Sequence, residues 1–253
     1  MNQLFGITIN TLNRKETAKF IIDRIIKGEK TIREDLNAAK VVWCESEGSV
    51  RQAVESASIV NPDGQSVVWA ARLLGIPIKE RVTGIDLMQD LIHLASSYGF
   101  SVYFLGAHED TVSTLAKSIV GKYGEQLVAG FADGYFSQQD EQAVVRKINT
   151  ANPDMLFIGI SSPKKEEFVL RNASVLHAKL IMGVGGSFDV LSGKTSRAPL
   201  WMQNNGLEWF YRLIQEPKRM WKRYLVTNSQ FIAITLKEYI KLKLRRNTTE
   251  PKS

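Results

Sequence analysis

The chain has little of what metal and disulfide chemistry needs. Its 253 residues include one cysteine, Cys44, and three histidines, His93, His108 and His177. A single cysteine excludes an intramolecular disulfide, and histidines so far apart in sequence lack the short spacing of a zinc site. There is also no Asp-x-Asp, the pair with which many sugar-nucleotide enzymes hold a divalent cation on a diphosphate. The sequence therefore predicts no metal requirement and no bound cofactor, and the alternative is a magnesium ion recruited by one carboxylate together with substrate phosphates.

Long apolar runs are missing as well. None approaches the roughly 18 to 20 residues that cross a bilayer as a helix, and the N-terminus lacks the basic-then-apolar order of a secretory signal. With 44% hydrophobic residues, the chain can nevertheless bury a sizeable core. We therefore expect a folded protein that stays in the cytoplasm and reaches a membrane only from that side.

Charge is distributed unevenly along the chain. Residues 1–205 carry 22 basic and 22 acidic side chains, whereas residues 206–253 carry 11 basic and 4 acidic ones, a net charge of +7. Tryptophans and tyrosines are interleaved with these cations, which is typical of a surface that meets both an anionic and an apolar layer. A membrane face or a polyanion is the indicated partner. The alternative is a helical extension whose charges contact only water.

Short apolar runs alternate with longer amphipathic ones up to about Lys194, the pattern of an α/β fold with a parallel sheet. Candidate strands are residues 4–9, 58–61, 101–105, 126–130, 155–160 and 179–184. Candidate helices are residues 15–27, 50–57, 65–74, 85–98, 111–123, 139–150 and 165–173. Beyond Arg197-Ala198-Pro199 the pattern changes to helices alone, broken at Pro217. We therefore divide the chain into a sheet-containing body, residues 1–197, and a basic helical appendage, residues 198–253.

A carboxylate follows one of the candidate strands. In Asn61-Pro62-Asp63-Gly64, Asp63 stands in a rigid turn between a strand and a helix. The carboxyl-end turns of parallel strands gather along one edge of the sheet, where ligands bind. Asp63 is thus a candidate general base. The alternative is an ordinary turn in which Asp63 caps the next helix.

Three further turns favour an anionic ligand. Gly106-Ala107 precedes a helix, whose N-terminus attracts phosphate, although the full glycine spacing of a dinucleotide-binding turn is missing. Lys164 and Lys165 stand in the first turn of a helix, where cations oppose the helix dipole and an anion would compensate them. Alternatively, they are exposed and offset by the two glutamates that follow. The last turn, residues 183–189, is glycine-rich and offers Asp189 to a sugar hydroxyl.

Arginines supply candidate contacts for a diphosphate. Arg212, Arg219 and Arg223 are spaced by seven and four, which would align them on one side of a continuous helix, and the alternative is that Pro217 kinks this alignment. Guanidinium groups so arranged suit bidentate contacts to phosphates. Arg81, in the body, has a surface salt bridge as its default role.

Nine short blocks, in order along almost the whole chain, resemble the WecG/TagA/CpsF family of bacterial glycosyltransferases. They are Asn-Pro-Asp-Gly at 61–64, Val-Val-Trp-Ala at 67–70, Glu-Arg-Val-Thr-Gly-Ile-Asp-Leu at 80–87, Phe-Leu-Gly at 104–106, Asp-Gly-Tyr-Phe at 133–136, Pro-Lys-Lys-Glu at 163–166, Gly-Val-Gly-Gly at 183–186, Arg-Ala-Pro at 197–199 and Gly-Leu-Glu-Trp at 206–209. Each block alone is weakly specific, whereas the ordered set is a specific signal.

The resemblance implies a Rossmann-like body with helices on both faces of its sheet, and an appendage that docks on the inner leaflet and closes the active site. It also implies transfer of a sugar, in the best-known members N-acetylmannosamine, from a UDP donor to polyprenyl-diphosphate-linked N-acetylglucosamine. The family's base falls on Asp63, its arginine on Arg81 and its asparagine on Asn37. Asp35 and Lys165 stand where the family usually has threonine and glutamine.

On this basis we expect an inverting transfer with no metal or cofactor, in which the UDP-sugar is a substrate. Groups at the reaction centre are expected at Asp35, Asn37, Asp63 and Arg81. Donor-binding residues are expected at Gly106, Ala107, Tyr135, Lys165, Gly185 and Asp189. Contacts to the acceptor diphosphate or the membrane are expected at Arg212, Arg219 and Arg223.

Two other functions stay open on the sequence alone. A soluble nucleotide-dependent oxidoreductase would share the sheet and the glycine turns, and would bind NAD rather than UDP. A non-enzymatic module could place its basic tail on an anionic surface. Nucleic acid is the less favoured partner, because the polar edge of the sheet would then have no role. A homo-oligomer is compatible with the sequence.

Overall fold

The computed structural model describes residues 2–249, apart from the side chains of Arg219, Arg223 and residues 245–249. Two short strands, β1 (Gln3–Leu4) and β2 (Ile7–Thr8), form an antiparallel hairpin near the N-terminus. The single strand predicted over residues 4–9 is therefore wrong. Phe5 and Gly6 have φ angles of 55° and 76°, and they turn the chain back on itself.

The main sheet has six parallel strands in the order β4-β3-β8-β7-β5-β6. In chain order the strands are β3 (Thr31–Leu36), β4 (Ile59–Pro62), β5 (Val102–Gly106), β6 (Val128–Ala132), β7 (Met155–Gly159) and β8 (Leu180–Gly183). The predicted α/β class with a parallel sheet is confirmed.

Helices connect these strands and form the C-terminal appendage. In the body they are α1 (Arg14–Ile26), α2 (Ala38–Ser46), α3 (Gly48–Glu55), α4 (Gln65–Leu73), α5 (Gly84–Tyr98), α6 (Glu109–Tyr123), α7 (Glu141–Ala151), α8 (Lys164–Asn172) and α9 (Ser187–Leu191). The appendage contains α10 (Leu200–Asn204), α11 (Glu208–Gln215) and α12 (Pro217–Thr249), and Pro217 opens the last of these. Across residues 2–249, no helix has the length and apolarity required to cross a bilayer. The division of the chain at residue 197 stays a prediction.

Alternate residues of the central strands point to opposite faces of the sheet, and both faces are apolar. Val102 and Phe104 of β5 pack with α1, α5 and α6, whereas Tyr103 and Leu105 pack with α7 and α8. A third apolar cluster joins the hairpin and α2, α3 and α4 to Phe231 of α12. Helices therefore cover both faces of the sheet, and α12 is anchored to the body.

Strand β3 carries buried charge at the centre of the fold. Glu34 Oε2 lies 2.8 Å from Lys40 Nζ of α2 and 2.7 Å from Lys165 Nζ of α8. Both lysines also contact Glu166 Oε1, at 3.1 and 3.0 Å. We call these four side chains, each at most 3% exposed, the buried ion network. Burial works against the charge on Lys40, but the carboxylates around it outweigh burial and raise its pKa well above the ordinary value.

Strand β3 and helix α2 are absent from the sequence-based prediction. A strand buried on both faces ordinarily reads as an apolar run, whereas β3 reads Thr-Ile-Arg-Glu-Asp-Leu. The lysines that neutralise Glu34 stand 6 and 131 residues away, so a local pattern does not reveal that its charge is compensated.

The buried ion network predicts a large stability effect for Lys40→Met. Removing one partner leaves buried carboxylates undercompensated, and we expect the free energy of unfolding to fall by about 3 kcal/mol or more. Lys19→Met is the matched control, since Lys19 pairs with Asp23 at 2.9 Å on an exposed helix face, and its loss should be far smaller than that of Lys40→Met. Chemical denaturation measures both variants. Equal losses would contradict a structural role for the network.

Candidate active site

The crevice of the sheet lies between β5 and β7. These neighbouring strands connect onward in opposite directions, β5 to β6 and β7 to β8, and ligands of open α/β sheets bind at such a point of reversal. Gly106 and Gly159 pair there, and a Cβ on Gly106, whose φ is 139°, would overlap the carbonyl of Gly159. The floor of the crevice is therefore bare backbone.

A polar cleft of about 560 Å³ extends from this crevice over the carboxyl ends of β3, β4, β7 and β8. Its volume falls within the range of small-molecule sites, roughly 300 to 1,000 Å³. The residues predicted for the site that line it are Asp35, Asn37, Asp63, Ala107, Tyr135, Lys165, Gly185, Asp189 and Arg212. Gly106 lies in the floor beside Ala107, and Arg81 lines a neighbouring cavity instead. The fold thus brings together residues from eight turns and helices that are distant in sequence.

Asp63 is half-buried at the end of β4. Its backbone N–H donates to Leu36 O at 2.9 Å, and its Oδ2 accepts one long hydrogen bond, 3.4 Å, from Gly84 N. Helix α4 begins after Gly64 with no side-chain cap, so the alternative in which Asp63 caps that helix is wrong. Burial and the negative charge of Asp35 raise the pKa of Asp63, against the opposing effect of Arg33 and Arg81.

Asp35 has the opposite electrostatic character. Its Oδ1 accepts from Lys40 Nζ at 2.8 Å, and its Oδ2 accepts from Asn37 Nδ2 at 3.0 Å. Burial favours the neutral acid, but the charges of Lys40, Lys165 and Arg33 outweigh it and hold the pKa of Asp35 well below its usual range. Of these two carboxylates of the cleft, Asp35 is firmly ionised, whereas the charge of Asp63 is disfavoured.

Carboxylates of the protein compensate the charge of Lys165. From the sequence, an anionic ligand or plain exposure could each account for the two lysines that begin α8. Lys164 is exposed, whereas Lys165 is 3% exposed and contacts the buried carboxylates of Glu34 and Glu166. A Cβ on Gly183 would overlap the aliphatic part of the Lys165 side chain, so glycine at the end of β8 makes room for this contact.

An aromatic pair stands on the opposite rim. The rings of His108 and Tyr135 stack with centroids 4.2 Å apart and an interplanar angle of 19°. Tyr135 is 70% exposed, which leaves its outer face available. His108 is absent from the predicted site, although it directly follows the Gly106-Ala107 turn.

Arg81 joins the body to the appendage. Its Nη1 contacts Glu208 Oε2 of α11 at 2.6 Å, and Glu208 Oε1 lies 3.3 Å from Arg197 Nε. Arg197 in turn holds Asp86 of α5 through two contacts, at 2.6 and 2.9 Å. The salt bridge that the sequence suggested for Arg81 is present, but it is only 16–18% exposed and ties α11 to the edge of the site.

A second, mostly apolar cavity of about 610 Å³ opens beside the polar cleft. It lies between α4, α11 and α12, and Asn37, Asp63, Glu208 and Arg212 line both spaces. Asp63 therefore stands where a polar and an apolar space meet. Of the predicted appendage arginines, Arg212 is exposed at this junction, whereas the side chains of Arg219 and Arg223 lie outside the described residues.

The chain matches the model of the glycosyl transferase WecG/TagA/CpsF family over residues 2–245. It belongs to this family. It is 37% identical over 172 residues to the N-acetylglucosaminyldiphosphoundecaprenol N-acetyl-beta-D-mannosaminyltransferase of Bacillus subtilis (strain 168). It is 34% identical over 172 residues to the enzyme of the same name from Bacillus spizizenii. Each alignment covers 68% of this chain and 66% of the relative, slightly less than two thirds of the relative's length.

This member of the WecG/TagA/CpsF family also has site residues that its sequence did not reveal. Arg33 is fully buried, and it donates from Nε to Asn61 Oδ1 at 3.2 Å and from Nη2 to Val82 O at 2.9 Å. Its Nη1 has no hydrogen-bond partner among the described residues. Both this nitrogen and Asp63 Oδ2 lie 3.8 Å from the position that a Gly84 Cβ would take. Arg33 thus supplies a fixed positive charge behind Asp63. The only available sequence signal was an arginine inside an unrecognised strand.

The opposite pKa shifts predict opposite responses to neutralising the two carboxylates. Because the pKa of Asp63 is raised, its ionisation at neutral pH costs stability, and Asp63→Asn should raise the thermal midpoint. The gain should vanish as the pH falls to about 4, where the unfolded-state carboxyl is itself protonated. Because the pKa of Asp35 is lowered, Asp35→Asn should lower the midpoint at neutral pH. Thermal unfolding over a pH series measures both, and a midpoint below wild type for Asp63→Asn would contradict the raised pKa.

Proposed function

We propose that the protein is an inverting glycosyltransferase that uses a UDP-sugar donor and a polyprenyl-diphosphate-linked N-acetylglucosamine acceptor. The transferred sugar is N-acetylmannosamine or a related hexose derivative. The observation that carries this proposal is Asp63, a carboxylate with a raised pKa and one long hydrogen bond, which faces a cleft of ligand size. Membership in a glycosyltransferase family supports the reaction class and disfavours the oxidoreductase and binding-module alternatives. The activities named for the two Bacillus relatives support the acceptor.

Asp63 acts as the general base. Its carboxylate takes the proton from the acceptor hydroxyl while that oxygen bonds to the anomeric carbon, and the bond from this carbon to the UDP oxygen breaks with its electron pair. Asp35 is the less suitable base, because Lys40 and Asn37 occupy its oxygens and lower its affinity for a proton. One base and one displacement invert the anomeric configuration.

Charge that develops on the departing diphosphate meets cations at the cleft. Lys194 and Arg212 line it, and Arg81 stands on the adjoining cavity. Lys165 acts indirectly, since the buried ion network already occupies its ammonium group. The loop after β8 adds backbone N–H groups, and Gly185, with φ 52°, has open space where a side chain would stand. Positive charge fixed at the place where negative charge develops stabilises the transition state.

The appendage binds the cytoplasmic face of the membrane, where the acceptor resides. Large apolar side chains on α10, α11 and α12 are exposed, among them Trp201, Phe210, Ile214, Trp221 and Leu225. Exposed lysines stand between them on α12, among them Lys218 and Lys222. Apolar and cationic groups on one surface suit an interface between anionic headgroups and acyl chains.

Replacing the base tests the mechanism directly. Asp63→Asn should lower the rate of sugar transfer by about 10²- to 10⁴-fold, the usual contribution of a general base, while UDP binding measured by calorimetry stays near the wild-type value. Asp23→Asn, on an exposed face of α1, is the control and should retain full activity. Retained turnover in Asp63→Asn would remove Asp63 as the base.

Membrane binding is tested on the exposed face of α12. Leu225 is 63% exposed, and Leu225→Glu should weaken binding to vesicles that contain anionic lipid by about tenfold, because it replaces buried hydrocarbon and opposes the surface charge. Gln230→Glu adds the same charge at another exposed position of α12 and should have a smaller effect. Co-sedimentation measures both. If the two variants lose the same affinity, apolar insertion at Leu225 is contradicted.

A further inference from the structure

The apolar cavity beside Asp63 has charge at one end only. Its walls are formed by Trp69, Ala70 and Leu73 of α4 and by Phe231 and Ile232 of α12, among other residues. Its charged lining residues, among those described, are Asp63, Arg81, Glu208 and Arg212. Three of these also line the polar cleft, and the fourth, Arg81, is bonded to Glu208. The charges therefore gather where the cavity meets the reaction site.

The other end of the cavity opens between half-exposed apolar side chains. Trp69 is 57% exposed and Leu73 49%, and across from them Ile232 is 58% and Leu236 52% exposed. Ile232 follows Leu225 by seven residues, about two helical turns, so the two side chains stand on the same side of α12. The wall of the cavity is thus continuous with the apolar surface that we assign to the membrane.

We propose that this cavity is a groove for the first isoprene units of the acceptor, an inference that rests on the proposed function. The cavity has carboxylate and guanidinium groups at one end and hydrocarbon at the other, and a lipid-linked sugar likewise has a sugar and a diphosphate at one end and a prenyl chain at the other. An occupant of the groove must reach Asp63 with its polar end, which a lipid-linked sugar does. The groove then selects the acceptor by its lipid, and not only by its sugar.

The test uses soluble acceptors without membrane or detergent. N-acetylglucosamine linked through diphosphate to a farnesyl group is compared with the methyl diphosphate analogue, and calorimetry measures binding of each. Each methylene that is fully buried should tighten binding about fourfold, so the farnesyl compound should bind more than about 100-fold better. No preference in the wild-type protein would overturn the proposal.

Substitutions in the walls of the groove test whether the preference for the farnesyl compound arises there. Leu73→Gln and Ile232→Gln, one on each wall, should each reduce the farnesyl preference by about tenfold and leave affinity for the methyl analogue unchanged. Leu225→Gln, on the same helix but outside the groove, should keep the preference while weakening vesicle binding. Thermal midpoints verify folding, and the second wall variant replaces the first if one fails to fold. An unchanged preference in both wall variants, or an equal loss in Leu225→Gln, would overturn the groove.

Three results distinguish the lipid groove from the proposed function and from a dimer interface. If the farnesyl compound binds with the expected preference but no sugar is transferred to it from any UDP-sugar, the proposed function fails while the lipid site stands. If sugar is transferred equally well to both acceptors, the function stands and the groove is refuted. A dimer in sedimentation that Leu73→Gln dissociates, with no change in acceptor preference, would assign the groove to a second copy of the chain and refute the lipid.

Discussion

One carboxylate shared between two buried lysines fixes how the elements of this fold are arranged around the cleft. Glu34 stands on β3, between β4 and β8 in the sheet, and it draws Lys40 of α2 and Lys165 of α8 to the same oxygen. The contact with Lys165 spans 131 residues of sequence. This contact joins β3 to α8, the helix that follows β7, and so brings the turns after β3 and β7 together at the cleft. Buried ion pairs contribute little net stability compared with apolar packing, so geometric specificity is the benefit that we assign to this one.

The same network separates the two carboxylates of the cleft. Asp35 lies next to the lysines and stays ionised, and its negative charge then adds to the burial that raises the pKa of Asp63. A base becomes more effective as its pKa approaches the working pH. A structural feature of the core therefore helps to produce the chemical property on which the proposed mechanism depends. The Arg81–Glu208 pair extends this arrangement outward, because it positions α11 over the same site.

The sequence predicts a secondary-structure element correctly where the local pattern of residues agrees with the environment of that element in the fold. Strands β5, β7 and β8 are apolar runs that end in glycine, and they were predicted to within two residues. The position of Asp63 at the cleft follows from a local signal, a rigid turn after an apolar strand, whereas its role as a base stays a proposal. Strand β3 was missed because its charges are compensated from distant helices, and the partner of Arg81 stands 127 residues away. The features that local patterns do not predict, strand β3 and the partner of Arg81, lie at the candidate site. Functional sites are where sequences commonly depart from simple hydrophobic patterns.

The Lys165 side chain packs directly against Gly183, so the residue types that these two positions accept depend on each other. An alanine at 183 would overlap the Lys165 side chain, and any movement that relieves the overlap disturbs an ammonium group that three carboxylates hold. In this chain a methyl group at the strand end therefore requires a shorter residue in place of the long cation. Lysine at 165 and glycine at 183 form one packing unit, and a shorter residue at 165 would remove the need for glycine at 183.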